Sequence, residues 1–241
     1  MEQYYYCTTL MEKSKIQMLY DACNTIFSQN KQLPTFQEIQ CLKKLTDEFE
    51  GIDVGIDEFG WYGSRPTWSP RGLICGRDIS GITYIHIHEC EAFSIGVFCM
   101  PAGATFPLHD HPGMTVFSKL LYGSIHVKAY DWINAHKSPA SQTFGIAAKV
   151  VDGMWRAPCE TSVLFPTSGG NIHSFTALTS SAVLDVLSPP YSEDLGRPSS
   201  YFFDFTIPSL PGYVMLEERE LPDDLVVTGA PYLGPPLHIR C

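Results

Sequence analysis

Two histidines one residue apart, His109 and His111, lie in the segment 101–123 and narrow the possible folds of this chain. Side chains on a strand alternate with a period of two, so both imidazoles are expected on one face, within reach of a single metal ion. Gly103 stands six residues before the pair, and Gly123 stands twelve residues after it. We therefore expect a pair of glycine-bounded strands that carries metal ligands.

This spacing, G-x5-H-x-H with a glycine twelve residues on, resembles the first motif of the cupin barrel. The segment 165–175, FPTSGGNIHSF, resembles the second cupin motif, in which Gly170-x2-His173 delivers a third histidine. The first cupin motif usually adds a glutamate, whereas Thr115 and Val116 stand at those positions here. The resemblance thus implies three histidine ligands and no carboxylate. A second interpretation stays open, in which the first two histidines belong to a polar loop that only contacts water.

The remaining patterns favour an all-β core preceded by helices. Apolar residues recur at intervals of three and four between residues 12 and 50, and Thr35 with Glu38 forms a capping-box pattern at the start of a second helix. From residue 82 the period changes to two, and about nine short strands follow with turn signals between them, which favours a sandwich or closed barrel. The fold class expected is a cupin double-stranded β-helix, a jelly-roll barrel, with N-terminal helices. We expect a single domain over 1–241, with helices at 12–50, a surface loop at 57–80, the barrel at 82–205 and a C-terminal segment at 206–241 that wraps the outside.

Composition excludes several classes of partner. Lys and Arg number 16 against 26 for Asp and Glu, a formal net charge of −10 that repels phosphate backbones, so we expect no nucleic-acid partner. Basic substrate segments would be favoured instead. No apolar run reaches the length of a membrane span and no export signal is evident, so we expect no membrane partner. The eight cysteines lack a C-x-x-C pair and indicate free thiols in a reducing compartment. We expect a monomer in the cytoplasm, with the nucleus as a further location.

A second pair of histidines, His86 and His88, has the same spacing and is an alternative metal site. It lacks the glycines that flank the first pair, and the polar face of a strand is often exposed to solvent without any further role. We therefore interpret these two histidines as structural or exposed to solvent.

Three neutral imidazoles do not reduce the +2 charge of a divalent ion, and they leave some of its coordination positions open. Such an ion favours an anionic ligand such as a thiolate or hydroxide. Imidazole nitrogen suits Zn, Cu, Fe and Ni, so the ligands alone do not identify the ion. Zinc would indicate hydrolysis through an activated water, whereas Fe(II) would bring a thiolate and dioxygen together.

Four runs of sequence resemble the plant cysteine oxidases, thiol dioxygenases that act on the N-terminal cysteine of proteins, and more distantly cysteamine dioxygenase. They are IHIHECEAFSIGVFCMP, PLHDHPGMTVFSKLLYGSIHVKAYDW, FPTSGGNIHSFTA and AVLDVLSPPYSED. The resemblance implies that His109, His111 and His173 hold Fe(II) on a cupin barrel. It also implies that O2 oxidises an N-terminal cysteine to a sulfinic acid, a step that feeds the N-degron pathway in hypoxia sensing.

The same resemblance assigns an active-site carboxylate to Asp185 and an active-site tyrosine to Tyr191. Asp185 could instead be a structural hydrogen-bond acceptor, and Tyr191 could merely cover the end of the barrel. Many relatives have cysteine where this chain has Ser199, so no role borrowed from that cysteine applies here. The alternative function is a non-catalytic or zinc-binding cupin that serves as a ligand-binding or interaction module.

Overall fold

The computed structural model describes residues 13–27, 34–57, 60–61, 81–133 and 142–239. Most of the surface loop expected at 57–80 lies outside these residues. Two α-helices come first, α1 at Lys15–Phe27 and α2 at Phe36–Asp47, followed by a 3₁₀ helix at Gly51–Val54.

The second helix begins where its sequence predicts. The Thr35 side chain accepts a hydrogen bond from the Glu38 backbone N–H, and the Glu38 carboxylate accepts one from the Thr35 backbone N–H at 2.8 Å. This reciprocal pair satisfies two backbone donors at the helix start, so the capping box is confirmed.

Fourteen strands occur within the described residues. They are β1 Ile56–Asp57, β2 Gly60–Trp61, β3 Ile82–Glu89, β4 Ser94–Met100, β5 Thr105–His109, β6 Thr115–Tyr122, β7 Ser124–Trp132, β8 Phe144–Arg156, β9 Ser162–Leu164, β10 Ile172–Ala177, β11 Ser181–Ser188, β12 Tyr201–Thr206, β13 Tyr213–Arg219 and β14 Val227–Ala230. Apart from the small β1–β2 pair, they form a six-stranded sheet in the order β14-β3-β4-β11-β6-β9 and a closed barrel in the order β10-β5-β12-β13-β8-β7. The expected fold class, a β core with N-terminal helices, is confirmed.

The three largest apolar clusters of the described residues hold these layers together. The first joins the two helices to one face of the six-stranded sheet and includes Leu19, Leu42 and Val97. The second fills the space between the sheet and the barrel, where Leu120 of the sheet meets Val127 of the barrel. The third lies inside the closed barrel and contains Leu108, Tyr130, Ile172, Phe202, Val214 and Leu216. Burial of these side chains supplies the main stabilising term of the fold.

The barrel extends further along the chain than the predicted end at residue 205. Strand β13, at Tyr213–Arg219, pairs with β12 on one side and β8 on the other, so it is needed for closure. Its buried residues, Val214 and Leu216, alternate with exposed or half-buried ones. The alternation is short and lies next to an acidic run, which is why the sequence predicts a segment on the outside of the barrel. Strand β14 does lie at a sheet edge, pairing in parallel with β3.

A β-bulge separates the second histidine pair. His86 lies opposite Gly96 and is exposed, whereas His88 lies opposite Ile95 and is buried against Tyr20. The bulge shifts the register between the two histidines, so they do not form a common ligand set. In the part of the chain that the structure describes, no helix combines the length and hydropathy that crossing a membrane requires.

Candidate metal centre

His109, His111 and His173 converge in the interior between the sheet and the barrel. Their candidate ligand atoms all lie within 4.8 Å of one another, and all three side chains are buried. The ring centroids are 4.8 Å apart for His109 and His111 and 4.6 Å apart for His111 and His173. The structure therefore brings together the three histidines that the two motifs predict.

Strand pairing places two of these histidines and a turn places the third. His109 ends β5 and lies directly opposite His173 on the antiparallel strand β10, so both rings project from the same face. His111 lies beyond the end of β5, in a turn closed by a hydrogen bond from the Met114 N–H to the His111 carbonyl. The prediction that both histidines of the pair belong to one strand is therefore wrong, although their rings still converge.

Backbone carbonyls fix how these rings face the centre. The Nδ1–H of His109 donates to the Pro107 carbonyl at 2.8 Å, and the Nδ1–H of His111 donates to the Asn171 carbonyl at 3.0 Å. A hydrogen bond to the Gly170 backbone acts on His173 in the same way. With Nδ1 of the first two rings engaged, their Nε2 atoms carry the free lone pairs that a metal ion needs.

Burial keeps these imidazoles neutral. It lowers the pKa of His109 to about 4, and together with the neighbouring His109 it lowers the pKa of His111 to about 3. The pKa of His173 also falls well below its ordinary value, first through burial and then through the two other histidines. Neutral imidazole is the form that binds metals, so the cluster is ready for an ion at neutral pH.

Asn171 holds the turn that carries His111. Its side-chain carbonyl accepts a hydrogen bond from the His111 N–H at 3.1 Å, and its amide donates to the His111 carbonyl at 2.9 Å. The same amide donates to the Phe165 carbonyl at 2.9 Å. Together with its own backbone carbonyl on the imidazole, Asn171 makes three hydrogen bonds to the one ligand that no strand positions.

Asp131 on β7 holds Asn171 in turn. One carboxylate oxygen accepts from the backbone N–H groups of Gly170 and Asn171, at 3.0 and 2.9 Å. Gly170 has a φ of 84°, and a Cβ there would lie 2.6 Å from the Cβ of Ala129. Only glycine fits this backbone and this close approach to β7.

Asp110, between the two ligands of the first motif, points away from the cluster. Its carboxylate accepts from the Ser200 N–H at 2.8 Å, and burial raises its pKa to about 6. The Tyr191 hydroxyl donates to the Asp110 carbonyl at 2.6 Å. Tyr191 thus braces the turn between the ligands, and its ring lies 5.6 Å from that of His111.

A cavity of about 310 Å³ opens beside the three histidines. Asp185 on β11 and Tyr191 both line it, as do Ser199 and Tyr201. Asp185 is 8% exposed, and its Oδ1 has no hydrogen-bond partner among the described residues. Burial raises the pKa of this carboxyl to about 7, against an opposing hydrogen bond from Ser118. A buried carboxylate with one oxygen left without a partner indicates a position prepared for a cationic or hydrogen-bonding ligand.

Asn171 and Asp131 are not among the site residues that the two motifs predict. Asn171 follows Gly169-Gly170 and comes two residues before a ligand, which is a usable signal, because a buried asparagine requires partners. Nothing local connects Asp131 with this segment, since 40 positions separate it from Asn171 along the chain. Its contribution becomes visible only when β7 and β10 pair.

The donor set fits a first-row transition-metal ion. Three buried imidazoles converge, two of them with Nδ1 anchored, and the described residues place no carboxylate or thiolate in the cluster. Imidazole nitrogen binds zinc, copper, iron and nickel, so this geometry supports a metal site without selecting the ion.

Comparison with known proteins gives consistent matches. The PCO_ADO family model matches residues 45–237. Plant cysteine oxidase 2 of Arabidopsis thaliana is 42% identical over 235 residues, covering 91% of this chain and 82% of the relative. The 2-aminoethanethiol dioxygenase of Mus musculus is 32% identical over 233 residues, covering 84% of this chain and 86% of that protein. Among solved structures, an RmlC-like cupin from Desulfovibrio desulfuricans aligns over 46% of this chain and 84% of its own, with 20% identity and a TM-score of 0.30.

These matches include both segments that carry the three histidines, since the family model begins before β3 and ends after β14. The resemblance noted in the sequence is confirmed for the plant cysteine oxidases and, at lower identity, for 2-aminoethanethiol dioxygenase. A barrel with a buried histidine cluster agrees with the cupin fold expected from the motifs. The chain belongs to the PCO_ADO family.

Proposed function

We propose that this protein is an Fe(II)-dependent thiol dioxygenase that oxidises the N-terminal cysteine of protein substrates to cysteine sulfinic acid with O2. The observation that carries the proposal is the cluster of three buried, neutral histidines in a cavity that Asp185 also lines, with its Oδ1 free of a hydrogen-bond partner among the described residues. The reaction converts R–SH and O2 into R–SO2H, so both oxygen atoms end on sulfur and no other reductant is needed. Among the described residues no carboxylate joins this cluster, which argues against an oxygenase of the two-histidine, one-carboxylate kind.

The names of two relatives indicate the part of the substrate that is recognised. One is a cysteine oxidase and the other a 2-aminoethanethiol dioxygenase. Cysteine and 2-aminoethanethiol share a thiol and an amine on adjacent carbons. Within a protein chain this fragment has a free amine only when cysteine is the first residue, which supports an N-terminal cysteine as the substrate.

The charges of the cavity favour a peptide over free cysteine. Among the described residues that line it, none is Lys or Arg, whereas Glu89 and Asp185 are acidic. Free cysteine would bring its carboxylate next to these acidic side chains without a Lys or Arg partner among the described lining residues, which is costly. An N-terminal cysteine in a peptide carries an amide in place of that carboxylate.

The residues of the site divide the work between binding and positioning. Iron(II) held by His109, His111 and His173 would supply the binding positions for the thiol and for dioxygen. Asp185 offers an acceptor for the substrate's amine, and Tyr191 keeps the turn between two of the ligands in place. Phe106 and Phe175 line the cavity with apolar rings that limit the entry of water.

We further propose that the reaction marks substrates for the N-degron pathway and that falling O2 stabilises them, which makes the protein an oxygen sensor. The protein would act as a monomer in the cytoplasm, and in the nucleus where its substrates are nuclear. The similarity to a plant cysteine oxidase supports this role.

Metal analysis and O2 uptake test the proposal on the same preparation. We expect about one iron per chain in protein purified without added metal. O2 consumption should match the formation of a peptide product heavier by two oxygen atoms from a Cys-initiated decapeptide. A protein that contains zinc and consumes no O2 would instead support the alternative of a ligand-binding cupin.

A second test concerns the form of the substrate. We expect the Cys-initiated decapeptide to turn over faster than free cysteine, and basic residues after the cysteine to improve turnover, because the cavity and the chain are acidic. Comparable turnover of free cysteine and the decapeptide would contradict this expectation.

A further inference from the structure

The side chain of Tyr84 lies over a glycine on the neighbouring strand. A Cβ built on Gly96 would lie 2.5 Å from the Tyr84 hydroxyl oxygen and 2.7 Å from the ring carbon that bears it. Any other residue at position 96 would therefore displace the tyrosine. Both residues line the cavity beside the histidines.

The register of the sheet locates the Tyr84 hydroxyl relative to Asp185. Gly96 on β4 pairs directly with Asp185 on β11. The Cβ positions of directly opposed antiparallel residues are about 4.5–5.5 Å apart on the same face. The hydroxyl occupies the space where the Gly96 Cβ would be, so it lies on the face of the sheet that carries the Asp185 side chain, and both residues line the cavity.

An aromatic wall continues from Tyr84 toward the metal ligands. Ring centroids are 4.8 Å apart for Tyr84 and Phe98, 5.3 Å apart for Phe98 and Phe106, and 4.7 Å apart for Phe106 and His109. A cation near such a wall is attracted electrostatically by the aromatic ring faces as well as by a nearby carboxylate. Of the groups in an N-terminal cysteine, the ammonium is the one that this combination recognises.

We propose that Tyr84, placed over Gly96, forms with Asp185 a subsite for the ammonium group of the substrate. This inference rests on the proposed function, and it adds Tyr84 as a residue that binds the substrate amine next to the thiol. The ammonium donates one hydrogen bond to the unpartnered Oδ1 of Asp185 and another to the Tyr84 hydroxyl oxygen. Thiols of similar size without an amine leave both acceptors unpaired, so the subsite rejects them.

The chemistry of Tyr84 suits this role. Burial, followed by the nearby Glu89 and Asp185, raises the pKa of Tyr84 to about 12, so the hydroxyl stays protonated at neutral pH. A protonated hydroxyl accepts from the ammonium while it donates to a carboxylate. Among the described residues, no hydrogen bond already occupies the hydroxyl.

The test compares two peptides that differ only in the amine. One is a Cys-initiated decapeptide, and the other begins with a 3-mercaptopropionyl group, which keeps the thiol and lacks the ammonium. Binding of each to the metal-loaded protein is measured without O2. We expect Tyr84→Phe to weaken binding of the Cys peptide roughly 10-fold, the scale of a hydrogen bond to a charged group, and to leave the deamino peptide within about 2-fold.

Tyr213→Phe is the matched control, because Tyr213 is exposed on β13 and does not line the cavity, and it should change neither affinity. Gly96→Ala should reproduce the selective loss by displacing the tyrosine, with the melting temperature reported beside it. Equal weakening of both peptides by Tyr84→Phe, an unchanged affinity for the Cys peptide, or no binding of that peptide by the wild-type protein would overturn the subsite. O2 uptake is recorded separately, so a protein that binds the Cys peptide selectively without consuming O2 would refute the dioxygenase and retain the subsite.

Discussion

The two faces of the strands β5, β10 and β12 differ sharply between neighbouring residues. Leu108, Ile172 and Phe202 point into the closed barrel and form part of its apolar core. Their sequence neighbours His109, His173 and Tyr201 line the cavity on the other face. One set of strands therefore supports both the core and the metal centre, and a shift of a single residue would exchange the two.

The two faces also contribute differently to stability. Apolar side chains in the barrel stabilise the fold by leaving water, without any specific partner. The imidazoles on the cavity face lose hydration, which is why burial lowers their pKa values, and hydrogen bonds to backbone carbonyls compensate part of that loss. We therefore expect substitutions on the cavity face to affect metal and turnover, and those on the barrel face to affect stability.

The largest effect is expected for His173→Ala. This change removes one of three ligands, so bound iron and O2 uptake should fall by more than about 100-fold, beyond the range for an outer partner of a ligand. The fold should persist in circular dichroism, because His173 is not part of the apolar clusters. Full iron occupancy in this variant would refute the assignment of the centre.

Leu108→Ala tests the opposite face next to His109. A cavity in the barrel core should reduce the free energy of unfolding by about 2–5 kcal/mol. For a chain of this size the melting temperature should fall by roughly 5–15 °C. Iron per folded chain and the rate per iron should stay close to those of the wild type, and a selective loss of iron would contradict the separation of the two faces.

Asn171→Ala should weaken metal binding about 10- to 100-fold, the range for partners that orient a ligand. The reason is the loss of both side-chain hydrogen bonds to the His111 backbone, which no strand holds. Iron affinity is measured by competition with a chelator. Thr105→Ala is the control, because the Thr105 side chain is exposed, hydrogen-bonds to Thr176 and does not line the cavity, and it should leave iron affinity unchanged.

Asp185→Asn should lower turnover about 10- to 100-fold while iron content is kept, since the change preserves shape and removes charge. Iron content, melting temperature and O2 uptake are measured on one preparation. An unchanged rate per iron would remove Asp185 from the site.

The metal-free form of the same variant provides a pH test. Burial raises the folded-state pKa of Asp185 from 3.8 to about 7, so the folded protein binds this proton more tightly than the unfolded chain does. The wild type therefore loses stability from this group as pH rises from about 4 to about 7. The melting temperature of Asp185→Asn relative to the wild type should increase over that range, and a flat difference would contradict the raised pKa.

Tyr191→Phe should have the smallest effect. It removes one hydrogen bond to the Asp110 carbonyl and keeps the ring against His111. The loss of one such bond corresponds to about 0.5–1.5 kcal/mol, or roughly 2- to 10-fold in metal affinity. A loss as large as that of His173→Ala would mean that the hydroxyl acts on the substrate as well as on the turn.

Most of the fold and the three ligands could be predicted from local patterns. The capping box of α2, the alternation along the strands and the two histidine motifs each depend on residues close together in the chain. The place of β13 in the barrel could not be predicted, because its alternation is weak and its partners β8 and β12 are recognised only by pairing. The bulge between His86 and His88 could not be predicted either, because it shifts the register that a regular strand would keep.

The amino-acid sequence by itself determined which residues can bind a metal ion, because histidine spacing and glycine positions are local properties of the chain. Only the tertiary structure decided which hydrogen bonds position those residues and which side chains line the cavity next to them. Asp131 reaches Asn171, and Gly96 makes room for Tyr84 opposite Asp185, through strand pairings between distant segments. Hydrogen bonds and close contacts of this kind depend on register and side-chain packing across strands, which no local pattern specifies.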